Sequence, residues 1–187
     1  MTKGLSIINA GDIELSDQVV VSDPCYCRDL WCAIKNITVK PGKYATYIVN
    51  KKDDEGGGWA TSLMVVHTDF VTSLKTTWEP YSSIVVGVDS GSCGIFDNAA
   101  YPADGESVGE FDDEHSFYGE CCTLTQGKGN GGILSSHNGV VSSSGYGDGT
   151  YALLCQHCEG ERVALMIDFG LEQCDVVTKA LMKQWCH

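Results

Sequence analysis

The chain has 187 residues, with 25 acidic and 12 basic side chains and a formal net charge of -13. This length predicts a single domain, residues 1–187, whose core is large enough to fold without a stabilising metal or disulfide. The strongly negative charge argues against direct nucleic-acid binding, because the phosphates would be repelled.

The N-terminal sequence and the cysteines indicate the compartment. Residues 1–17 contain neither a continuous apolar segment nor a small-residue cleavage site, so we expect a cytosolic protein whose ten cysteines are mostly reduced. No apolar run approaches the roughly 20 residues of a membrane helix, so we expect no membrane association. The cysteine spacing matches no usual zinc template, because CQHC at 155–158 is a single CxxC pair. Zinc bound by distant cysteines stays an alternative.

Short runs rich in β-branched and aromatic residues follow one another along the chain. They predict a mainly β fold, either a sandwich or a barrel of short antiparallel strands. In chain order the runs are LSIIN, QVVVSD, KYATYIVN, WATSLMVVHT, SSIVVGVD, CGIFD, FYGECCTL, GGILSS, GVVSSS, TYALLC and RVALMIDF. HNG at 137–139 and EGE at 159–161 predict hairpin turns between the runs on either side of them.

Two segments predict helices. Asp23 can cap a short helical turn that begins at Pro24 and runs toward Trp31. In CDVVTKALMKQWC, at 174–186, the apolar residues fall on one helical face, which predicts a C-terminal helix packed on the sheet.

The middle of the chain is acidic. Between Asp53 and Gln126 there are 14 acidic residues, and Lys75 is the only Lys or Arg. Residues 104–120 hold seven of these acids and predict a surface loop. The resulting negative field suits a basic partner, a bound cation or mimicry of a nucleic acid, while a solvated acidic surface is the simpler interpretation.

Three motifs each place an aspartate among small residues beside a predicted strand. They are SDPCY at 22–26, DSGSCGIFD at 89–97 and SGYGDGTY at 144–151. Together with VKPGKYATYIV at 39–49, their order resembles an uncharacterised family of small bacterial and phage proteins described as a domain of unknown function. The resemblance spans about Val19 to Phe169 and carries over no catalytic residue. It implies a phage-type inhibitor or sequestering protein that binds a host protein.

The motifs predict a binding module with a pocket for a small polar ligand or a partner's loop. Glycines in 144–151 let the backbone approach a ligand closely, and aromatic rings would form the walls. The candidate ligand-binding residues are Asp23, Tyr26, Asp89, Ser144, Tyr146, Asp148 and Tyr151. A bulged turn whose aspartate bonds its own backbone is the simpler interpretation of this loop.

An enzyme, either a hydrolase or a transferase, is the alternative function. Cys25 is the candidate catalytic nucleophile, because a thiol near a helix N-terminus has a lowered pKa. Its base would be one of four histidines, His67, His115, His137 or His157. An inert buried thiol is the simpler interpretation of Cys25.

A divalent cofactor is the other enzymatic possibility. Asp89, Asp97 and Asp148, with Asp23, could form an oxygen-rich site for Mg²⁺ or Ca²⁺. The chain lacks a dense DxDxDG loop, and turn-capping aspartates are the simpler interpretation. Because no recognisable catalytic set is present, the sequence favours binding over catalysis and no cofactor.

Overall fold

The computed structural model describes residues 4–28, 31–52, 58–171 and 174–185. Within these ranges the chain forms eleven strands, two α-helices and one 3-10 helix. In chain order they are β1 (Leu5–Leu15), β2 (Gln18–Ser22), β3 (Ile34–Thr38), β4 (Gly42–Lys52), β5 (Gly58–His67), the 3-10 helix (Thr68–Ser73), β6 (Glu79–Val88), β7 (Ser92–Asp97), α1 (Phe117–Thr125), β8 (Gly131–Ile133), β9 (Gly139–Ser143), β10 (Gly149–Cys158), β11 (Glu161–Asp168) and α2 (Cys174–Trp185).

The strands form two antiparallel sheets, which confirms the prediction of a mainly β fold and identifies it as a sandwich. One sheet has the order β1-β4-β5-β11-β10-β6, and the other has the order β3-β2-β7-β9-β8. Their inner faces share one apolar core, to which Ile48 and Leu165 contribute from the first sheet and Val19 and Ile95 from the second. Interdigitated apolar side chains of this kind hold two sheets together.

Helices cover the outer faces of both sheets. On the first sheet, Tyr47 and Met166 pack in a cluster with Val177 and Leu181 of α2. On the second sheet, Phe96 packs with Cys121 of α1. Central strands are therefore buried on both faces, and every residue of β7 is buried. This explains why the sequence shows continuous apolar runs instead of a clear polar and apolar alternation.

The strand predicted over FYGECCTL is wrong, because residues 117–125 form helix α1. Ser116 caps this helix, and its hydroxyl accepts a hydrogen bond from the amide of Gly119 at 3.1 Å. Phe117, Cys121 and Leu124 pack in one cluster on the second sheet. Their spacing of four and three residues is helical, but the segment is too short for this period to stand out.

The helical turn predicted after Asp23 is also wrong within the described residues. Residues 24–26 form a turn and a bend, and no helix follows as far as residue 28. The Asp23 carboxylate accepts from the amide of Cys25, as an N-cap would, but its other oxygen bonds a different loop. Leu30, near the predicted end of this turn, lies outside the described residues.

The surface loop predicted over residues 104–120 ends at residue 116, because residues 117–120 are the first turn of helix α1. The two predicted hairpin turns and the C-terminal helix are confirmed. The turns at 137–139 and 159–161 join the paired strands β8–β9 and β10–β11. The C-terminal helix is α2. The apolar runs do not predict strand β3, because its buried residues, Ile34 and Ile37, are three positions apart instead of two. Asn36 between them has a positive φ of 53°, which is irregular for a strand. In the described part of the chain, no helix has both the length and the apolar character needed to span a membrane.

Candidate functional site

The three aspartate motifs meet at one end of the sandwich. SDPCY follows β2, the DSG segment joins β6 to β7, and SGYGDG joins β9 to β10. Because β2, β7 and β9 are neighbours in the second sheet, these loops leave the sheet side by side. The amide of Ser144 donates to the carbonyl of Gly91 at 2.9 Å, which ties the second motif to the third.

Asp23 ties the first motif to the second. Its side chain is fully buried and accepts four hydrogen bonds. Oδ2 accepts from the amides of Asp89 and Ser90, both at 2.7 Å. Oδ1 accepts from the amide of Cys25 at 3.0 Å and from the hydroxyl of Ser90 at 2.6 Å. A buried carboxylate with this many donors fixes the position of both loops.

Two tyrosines strengthen this connection. The hydroxyl of Tyr26 donates to Asp89 Oδ2 at 2.6 Å, and this hydrogen bond raises the pKa of Tyr26 above its ordinary value. The buried hydroxyl of Tyr101 donates to the carbonyl of Tyr26 at 2.6 Å. Burial also raises the pKa of Tyr101. The two rings therefore act as neutral hydrogen-bond donors at neutral pH.

Two residues of this network are absent from the site that the sequence predicts. Ser90 lies inside the DSG motif, and its amide and hydroxyl both bond Asp23, so its place in the motif is the signal that could have found it. Tyr101 carries no local signal, because its partner Tyr26 is 75 positions away in the chain. Only the folded structure brings the two together.

The loop at 144–151 is a turn held by its own hydroxyl groups. Ser144 Oγ donates to the carbonyl of Gly147 at 2.7 Å, and the hydroxyl of Tyr151 donates to the same oxygen at 2.8 Å. The ring of Tyr151 also packs edge-on against Phe169, with 5.1 Å between the ring centroids. The side chain of Asp148, in contrast, is exposed. The polar groups of Ser144 and Tyr151 thus stabilise the turn itself.

Two aromatic rings stand exposed at this end. Tyr146 is 67% exposed and rests against Trp59, with 6.2 Å between the ring centroids. Trp31 is 64% exposed, and its ring lies so close to Gly87 that a Cβ there would be 2.0 Å from it. Asp148 lies just before β10. In the first sheet β10 lies between β11 and β6, and β6 contains Gly87, which contacts Trp31.

Cys25 does not have the environment that the sequence predicts. No helix begins beside it in the described residues, and burial raises the pKa of its thiol, as does the negative charge of Asp23. Two of the candidate bases have other neighbours: His67 lies 3.3 Å from the carbonyl of Pro41, and His157 lies 3.9 Å from Glu79. A thiol kept protonated in this way is a poor nucleophile.

We expect Cys25 to react slowly with iodoacetamide at pH 7.5 in the folded protein, at least about tenfold more slowly than in urea. The raised pKa lowers the thiolate fraction, so the rate should keep rising above pH 9.0, the ordinary pKa of a thiol. Fragment-ion mass spectrometry separates Cys25 from Cys27. Labelling as fast in the folded as in the unfolded chain would restore Cys25 as a candidate nucleophile.

The structure does not bring Asp97 to this end. Asp97 ends β7, and Asp89 precedes the start of that strand, so the two are separated by the length of six residues, roughly 17 Å. The Asp97 carboxylate accepts from the amides of Ser16 and Ala99 at 2.5 and 2.9 Å. Within the described ranges, no group of three or more His, Cys, Asp or Glu side chains is placed to hold a metal ion.

Comparison of the chain with protein-family models, with curated proteins and with solved structures gave no match in any of the three. The resemblance of the motifs to the bacterial and phage family therefore stays a prediction. In this chain the three motifs form one structural unit, because hydrogen bonds join each loop to the next.

Proposed function

We propose that the protein is a binding module that recognises a loop of a partner protein with the end of the sandwich described above. The observation that carries this proposal is the pair of exposed rings, Trp31 and Tyr146, on a base fixed by buried hydrogen bonds. Aromatic side chains that are held rigidly in water lose little entropy on binding, and they are enriched at the centres of interfaces.

The polar side chains of the three motifs form hydrogen bonds within the protein, which favours a partner loop over a small polar ligand. Asp23 accepts bonds from neighbouring loops, and the hydroxyls of Ser144 and Tyr151 donate to Gly147. These groups are already satisfied, so a small ligand would have to compete with them. A protein loop can instead bind over the exposed rings and Asp148 without breaking those bonds.

Charge favours a basic partner. The chain carries a net charge of -13. Asp148 is exposed just before the start of β10, which lies in the sheet between β6, the strand that contacts Trp31, and β5, the strand that contacts Tyr146. An acidic surface attracts a basic partner over a distance and speeds its association. Lys or Arg side chains could also lie over the exposed aromatic faces. We therefore propose that the recognised loop carries Lys or Arg.

The proposed cellular setting rests on the family resemblance and on the free cysteines. The family resemblance adds the proposal that the partner is a host protein, which a phage-type inhibitor would sequester. A cytosolic location is part of this proposal, and it is supported by the free state of the nine cysteines in the described residues. A reducing compartment suits so many unpaired thiols.

Quantitative capture of partners from a cell extract tests this proposal. Tyr146→Ala and Asp148→Ala should each lower the recovery of a specific partner by about tenfold or more, because both remove groups from the centre of the surface. Phe111→Ala is the matched control, since Phe111 is 65% exposed within the acidic segment but belongs to none of the three motifs. Loss of the partner in Phe111→Ala alone would instead place the interface on the acidic loop.

A further inference from the structure

A recess lies at the opposite end of the sandwich from the three motifs, beside the turn between β10 and β11. Its volume is about 280 Å³, and its charged or titratable lining side chains are Lys40, His157, Glu161 and Arg162. The fixed charges of the lining are two cations against one anion, although the chain as a whole carries -13. The recess is therefore positive relative to the rest of the protein.

Arg162 lacks a counter-ion in the described part of the chain. Its guanidinium donates to the carbonyl of Thr38 and lies 4.8 Å from the centroid of the Tyr81 ring. Its Nε is buried without a hydrogen-bond partner, and no carboxylate of the described residues pairs with it within 4.0 Å. A half-buried cation without an opposite charge favours the arrival of an anion.

Lys40 has a partner that a ligand can replace. Its ammonium pairs with the Glu161 carboxylate, the more exposed side chain of the two. The backbone amide of Lys40 donates to the carbonyl of Arg162 at 2.9 Å, which fixes the two cationic residues side by side. An oxyanion that entered the recess would take the place of Glu161 on Lys40 and reach Arg162.

We propose that this recess binds a small oxyanion, a carboxylate or a phosphate group, between Lys40 and Arg162, and that Glu161 is the group it displaces. The volume equals that of roughly nine water molecules, which suits a small metabolite. Carboxylates outside the lining limit the affinity for an anion. The negative charges of Glu159 and Asp69 lie near Lys40, and the Glu79 carboxylate lies 3.9 Å from His157. Millimolar dissociation constants are therefore expected.

Nuclear magnetic resonance titration of the full chain tests the proposal, with inorganic phosphate and succinate as separate probes at constant ionic strength. Saturable shifts of the amides of Lys40 and Gly160 are expected with at least one probe. The probe that binds more tightly identifies the ligand group as phosphate or carboxylate. Lys40→Gln should weaken binding by about tenfold, and Arg162→Gln should abolish it.

Two further variants make the test specific. Glu161→Gln should tighten binding by about threefold, because it removes the competing carboxylate. Lys43→Gln is the matched control: Lys43 also lies near the start of β4 and pairs with Asp12 at 2.8 Å, but it does not line the recess. The affinity of the Lys43→Gln variant for either probe should equal that of the wild type.

Three results would overturn the proposal. They are the absence of saturable shifts with both probes up to about 100 mM, equal weakening by Lys43→Gln and Lys40→Gln, and weaker binding in Glu161→Gln. If Arg162→Gln fails to fold, the Lys40 and Glu161 variants still decide the question, since both changes are at a surface ion pair.

Discussion

Replacing Asp23 with alanine is expected to lower the free energy of unfolding by about 3–5 kcal/mol. The change removes the acceptor of four hydrogen bonds and leaves the amides of Asp89 and Ser90 without their partner beside a buried site. Urea unfolding followed by circular dichroism measures the loss. Asp23→Asn should fall between the wild type and Asp23→Ala, because one carboxylate oxygen becomes a donor that faces other donors.

Asp148→Ala is the control for this prediction, because Asp148 lies in another of the three motifs but is exposed. Its free energy of unfolding should stay within about 0.5 kcal/mol of the wild type. If Asp23→Ala were no more destabilising than Asp148→Ala, Asp23 would not be what holds the first two loops together.

Replacing Gly145 with alanine is expected to cost about 3 kcal/mol or more, while the same change at Gly147 costs about 1 kcal/mol. Both residues have positive φ, 69° and 86°, so both variants carry backbone strain. They differ in space: a Cβ at Gly145 would lie 2.2 Å from the carbonyl oxygen of Ala60, whereas a Cβ at Gly147 meets nothing within 4 Å. Comparison of the two variants therefore separates the cost of backbone strain, which both carry, from the cost of the steric clash with Ala60, which only Gly145→Ala carries.

The binding proposal makes the same pair informative about function. Because Gly145 precedes Tyr146, a shift of the backbone at Gly145 would move the ring away from Trp59. Gly145→Ala should therefore weaken partner capture, and Gly147→Ala should weaken it less. Denaturant unfolding and capture measured on the same preparations check both statements. Equal stability of the two variants would contradict the close contact with Ala60.

Much of the fold could be predicted from local sequence, since ten of the eleven apolar runs are strands. The exception, FYGECCTL, contains residues that suit a strand, and its helix depends on the cap at Ser116 and on packing against Phe96 of the second sheet. Strand β3 shows the opposite case, because Asn36 conceals its pattern. Local propensity is weak evidence where tertiary packing decides.

The candidate site was harder to predict, because small polar residues at turns serve a ligand or their own backbone equally well. The pairing of Asp23 with the amide of Asp89 joins residues 66 positions apart, and no sequence pattern reports that distance. Ser144 and Tyr151 prove to hold their own turn, while Tyr146 and Asp148 remain exposed. The lowered pKa predicted for Cys25 depended on a helix beginning at Pro24, and none begins there in residues 24–28; burial instead raises the pKa of this thiol.

Photo-crosslinking in cell extract tests whether the three loops recognise a partner protein, because the covalent adduct itself identifies that partner. A benzophenone amino acid replaces Tyr146 in one variant and Phe111 in the other, two aromatic positions of nearly equal exposure. A discrete protein adduct is expected from position 146, and none is expected from position 111. An adduct from position 111 alone, or none from either position, would contradict a recognition surface built by the three loops.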